Sequence, residues 1–143
     1  MFPLSNISDP DPIPEDAPLQ TISLSGISDG DIADSQLLTI TATSDNPSLI
    51  PHPTVSYSPS EPTASLNYSP LANQSGLALI TVTIQDDGGT ANEGIDTVTK
   101  SFMVTVSPQD DPPTVATPIN DINVLEDAQN HIIDISSAFT DID

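Results

Sequence analysis

Twenty-one acidic side chains against one lysine, Lys100, define the chemistry open to this chain of 143 residues. Many of the acids are grouped: Asp9 and Asp11 between prolines, Glu15-Asp16, Asp29-Gly-Asp31 and Asp86-Asp87. Asp110-Asp111, Glu126-Asp127 and Asp141-Ile-Asp143 follow later in the chain. Grouped carboxylates suit a hard cation, which takes six to eight oxygen ligands at about 2.3–2.6 Å. Calcium is the expected ion, because a chain with no cysteine and two histidines offers no soft ligand set for zinc or copper. The competing reading of the same acids is solvation or adaptation to high salt.

The formal net charge of −20 argues against nucleic acid as a partner, since phosphate binding needs Lys and Arg. Direct membrane insertion is not expected either, as no apolar run approaches the length of a span. Met1-Phe-Pro-Leu4 carries neither a basic nor an apolar signal region, so a targeting signal is expected outside this stretch. Nothing here reads as an enzyme. Asp86 and Asp87 are adjacent and diverge in extended backbone, His52 stands between two prolines, and no Ser-His-Asp set or phosphate loop is present.

The acids recur as a phrase. Pro14-Glu-Asp-Ala17, then Leu19 to Ser25, then Asp29-Gly-Asp31 is matched by Leu125-Glu-Asp-Ala128, then Ile132 to Ser136, then Asp141-Ile-Asp143. The period of about 110 residues is too long for a solenoid unit and fits whole domains in tandem. The expected organisation is an acidic, Pro-rich linker at 1–12, a full repeat at 13–108, a short linker at 109–113 and the start of a truncated second copy at 114–143.

The elements that must position these acids read as strands. Leu19 to Ser25, Gln36 to Thr43, Leu77 to Gln85 and Thr97 to Ser107 alternate apolar and polar residues, with β-branched threonines favouring extended backbone. Val55 to Tyr57 and Ala64 to Tyr68 read as shorter edge strands, and Leu49 to Pro53 as extended but broken by proline. The strongest pair is Leu77–Gln85, with Ala78, Ile80, Val82 and Ile84 on one face, and Thr97–Ser107, with Val98, Lys100, Phe102, Val104 and Val106 on one face, and these two strands are expected to be the core. No window carries a helical period. The fold class is all-β, an antiparallel Greek-key sandwich.

In such a sandwich the incoming linker, the loop after Leu19–Ser25 and the loop after Leu77–Gln85 can share one end. That would gather Asp9, Asp11, Asp29, Asp31, Asp86 and Asp87. A second junction would gather Asp110, Asp111, Asp141 and Asp143 with Glu15 as a helper.

These residues resemble a known pattern. Asp110-Asp-Pro-Pro113 is similar to the Asn-Asp-x-Pro linker of bacterial cadherin-like tandem repeats, Glu126 to their first-strand glutamate, and Asp141-x-Asp143 to their Asp-x-Asp motif. Asp86-Asp-Gly-Gly89 resembles the Asp-x-Gly loop of the same repeats. The resemblance implies a cadherin/immunoglobulin-like sandwich with calcium between domains, in the stalk of a large secreted or surface-anchored adhesive protein. Its partners would be neighbouring repeats and a cell-surface or matrix ligand. The Asp-Arg-Glu motif of such repeats is missing. A sugar- or protein-binding module is the alternative, with Tyr57 and Tyr68 as the only aromatic platform.

Overall fold

The computed structural model describes residues 4–28, 37–87 and 96–142, which divide into one unit up to Pro108 and another from Gln109. Among the described residues seven strands build the first unit: β1 (Ile13–Pro14), β2 (Gln20–Ser25), β3 (Thr39–Ser44), β4 (Thr54–Tyr57), β5 (Thr63–Tyr68), β6 (Gly76–Gln85) and β7 (Thr97–Ser107). They form two sheets, ordered β1-β7-β6-β3 and β2-β5-β4. The chain crosses between the sheets from β2 to β3, back at β4, and again from β5 to β6, which is the expected Greek-key sandwich.

Period-2 patterning sets the register. In β6, Ala78, Ile80, Val82 and Ile84 are all buried, and Ile80 pairs with Phe102 and Ile84 with Val98 on β7. A slip of one residue would turn this whole row to solvent, so the pairing is fixed by burial. Phe102, Leu24, Leu66, Val82, Val104 and Val106 close the core from both sheets. Each such side chain contributes about 1.5–3 kcal/mol of burial.

Four features depart from the expected elements. First, β5 is the centre of its sheet, since it pairs with both β2 and β4; Ala64, Leu66 and Tyr68 are buried along it. Second, β1 pairs parallel with β7, Ile13 opposite Val106, in an otherwise antiparallel sandwich. Third, Leu49 and Ile50 lie in a turn, where both amides bond the Asn46 carbonyl and both side chains are buried. Proline at 51 and 53 made the stretch read as broken extended chain, but Leu49 and Ile50 build a plug. Fourth, the described part of 1–12 packs on the sandwich: Leu4 is buried in the core and the Ser5 amide bonds the Ser25 carbonyl.

The second unit contains β8 (Thr114–Val115) and β9 (Phe139–Thr140), paired antiparallel. Ala138 is its one buried hydrophobic residue among the described residues.

Candidate functional site

Proline at 10 and 12 holds the incoming chain extended, and Asp9 on it reaches β7. Its Oδ1 accepts a hydrogen bond from the Met103 amide at 2.7 Å, while Asp11 is exposed. After β1 the chain turns sharply. The Ala17 amide bonds the Pro14 carbonyl at 3.2 Å and Asp16 sits at φ 63, a left-handed conformation that Asp tolerates better than most residues. The Glu15 amide continues the β1–β7 pairing to the Ser107 carbonyl, and its side chain is buried. Asp16 Oδ1 accepts from the Asn73 amide.

At the end of β6, Asp86 is buried and its amide bonds the Asp96 carbonyl at 2.9 Å, closing the hairpin strands before the loop. Asp87 Oδ1 accepts from the Leu37 amide at 2.9 Å. Asp29 and Asp31 lie outside the described residues. In the second unit Asp110 is exposed and Asp111 half-buried, Glu126 is exposed, and Asp141 Oδ1 accepts from the Ile142 amide. Asp143 also lies outside the described residues.

Among the described residues, no three acidic or histidine side chains gather as a metal-holding group. Asp9, Asp87 and Asp141 each accept a backbone amide on one oxygen. Asp29, Asp31 and Asp143, the remaining members of the two expected shells, are the ones not described.

Of the two aromatics of the alternative reading, neither is fully exposed. Tyr68 is buried on β5, its phenol pushed above the ordinary value by desolvation, and Tyr57 packs against the core. His52 is structural in its visible contact: its Nδ1 accepts from the buried Ser44 amide at 3.0 Å, pinning the end of β3.

Two local structures recur between the units. The Leu125–Ala128 turn repeats Pro14–Ala17, with the Ala128 amide on the Leu125 carbonyl at 3.2 Å and Asp127 at φ 62. A groove of about 230 Å³ runs between residues 5–10 and β2, lined by Asn6, Ile7, Pro10 and Ile22 among others. A groove of about 260 Å³ in the second unit is lined by Pro118, Ile119, Ile122 and Ile133. Those residues follow the first set by about 110 positions. The sequence signal for this upstream match is Ile7-Ser-Asp9 against Ile119-Asn-Asp121, which extends the repeat into the stretch expected as linker.

Residues 3–101 match the family model described as bacterial Ig domain. The chain belongs to the bacterial Ig domain family. The match begins before β1, in keeping with Leu4 as part of the bacterial Ig core, and it agrees with the observed sheets. No curated protein and no solved structure matches the chain. Bacterial Ig domains are generally non-catalytic structural modules and typically occur in surface or secreted proteins. Among the described residues no helix is long and apolar enough to cross a membrane.

Proposed function

We propose that this bacterial Ig domain is a non-catalytic structural repeat of a secreted or surface protein, which spaces and stiffens neighbouring repeats, and that calcium at the repeat ends strengthens the stiffening. The observation that carries the reading is the turn shared by Asp16 and Asp127, at φ 63 and 62 with the same closing hydrogen bond. The shared turn supports a reading of two units built to one plan, as a tandem array requires.

Calcium is supported by the acids that travel with that turn in both copies: Glu15 and Glu126, and the Asp-x-Asp pairs at 29–31 and 141–143. A cation that binds only the folded state stabilises it by mass action, about 2.7 kcal/mol at a hundred times Kd. Prolines 112 and 113 restrict the chain between the units, so less hinge freedom is left for an ion to remove. A cell-surface or matrix ligand would make the array adhesive.

Thermal unfolding with millimolar calcium and then with chelator, at fixed ionic strength, tests the cation. The expected result is a melting temperature that rises with calcium, rises much less with magnesium, and loses the gain in Asp29→Asn with Asp31→Asn. An unchanged melting temperature removes calcium and leaves the structural repeat.

A further inference from the structure

The incoming chain and β7 are neighbours that run parallel, which sets how the first unit meets a pull on its two ends. β1 pairs with β7 through Ile13 opposite Val106 and Pro14 opposite Ser107, and the Glu15 amide on the Ser107 carbonyl continues the ladder. Before β1, side chains take over. Asp9 Oδ1 accepts from the Met103 amide at 2.7 Å and Asn6 Oδ1 from the Lys100 ammonium at 2.9 Å, both across a separation of 94 residues. One parallel alignment therefore runs from Asn6 to Glu15, roughly 30 Å of extended chain.

Proline commits this segment to β7. The Glu15 amide faces β7, so the alternating prolines at 10, 12 and 14 have their missing donors on the edge facing away. Such an edge is a poor template for a further strand. Lys100, the one basic residue of the chain, stands opposite the buried Val82 on the core-facing row of β7. Among the described residues its partner is the Asn6 carboxamide.

We propose that the segment from Asn6 to Glu15 and β7 form a mechanical clamp, the force-bearing element of this repeat when the array is under tension. Tension on the incoming chain pulls the segment one way, and tension at Ser107 pulls β7 the other way along the same axis. Bonds that run between the strands are then loaded together, whereas a peeling pull would break them one at a time. On its far side β7 is held by pairing with all ten residues of β6, and Phe102, Val104 and Val106 are buried. The clamp side is where the pair gives way. The proposal takes its purpose from the structural-repeat reading, but its geometry lies within the first unit.

Force spectroscopy of the full chain held at its two ends tests this, beside urea unfolding of the same variants. Asn6→Ala with Asp9→Ala removes both tethers at exposed positions, and Leu66→Ala opens a cavity on the other sheet. The expected result is a reversal of rank. At a fixed force the double substitution speeds unfolding by roughly thirtyfold, as two ordinary hydrogen bonds lost from the barrier imply, and Leu66→Ala by much less; in urea Leu66→Ala is the more damaging. The same rank under force and in urea overturns the proposal. So does an unfolding rate under force that the double substitution leaves unchanged. Neither outcome alters the calcium-dependent melting, so failure of the clamp and failure of the calcium-stiffened repeat are told apart.

Discussion

Asp9 Oδ1 stands 2.7 Å from the Met103 amide, and through this contact the incoming chain is fastened to β7 before the backbone pairing of β1 begins. The sequence marks Asp9 as a candidate cation ligand. In the structure one of its oxygens is spent on closing a sheet edge, next to the pairing of Ile13 with Val106.

Asp9→Ala should therefore lower stability by about 1 kcal/mol, the scale of an exposed charge-assisted hydrogen bond, or roughly 4–8 °C in melting temperature for a domain of this size. The loss should be equal with calcium and with chelator. A loss seen only with calcium would return Asp9 to the cation.

Ser60 should respond in the opposite sense to most substitutions. It occupies the third position of the turn closed by the Glu61 amide on the Ser58 carbonyl, with Pro59 before it and φ 72 at Ser60 itself. Such a turn favours glycine there. Ser60→Gly relieves left-handed strain and loses some of that gain to unfolded-chain entropy. A net stabilisation of a few tenths to about 1 kcal/mol is expected in urea denaturation, with Ser60→Val destabilising.

Ile50→Ala should cost about 2–5 kcal/mol, because the side chain is fully buried and its turn is held by the Asn46 carbonyl, which limits collapse of the cavity. Against a typical domain stability of about 5–15 kcal/mol this is a large fraction. The denaturation midpoint should fall with the slope unchanged.

Burial raises the Tyr68 phenol above its ordinary value. The unfolded chain then loses that proton first, near about pH 10. Stability from this group is fully present below that pH and is lost as the pH climbs through the folded value. Melting temperatures taken from about pH 9 to pH 11 should fall along this limb, and Tyr68→Phe should flatten it.

Sequence alone was enough to place the strands that carry the core. Ile80, Val82, Ile84, Phe102, Val104 and Val106 alternate strictly, and only one register buries all of them. The Glu-Asp turn shared by Asp16 and Asp127 was equally legible, because it depends on local backbone geometry that short sequence specifies.

Tertiary structure decided what local pattern does not encode. Ala64 to Tyr68 became a central strand because β2, from a distant part of the chain, pairs with it on the side away from its hairpin neighbour β4. Leu49 and Ile50 became a core plug because burial, and not proline, fixed their backbone. Asp9 and Asp87 accept hydrogen bonds from the amides of Met103 and Leu37. A carboxylate in a sequence carries its charge; whether that charge meets an amide, solvent or a cation is set by the residues folding brings beside it.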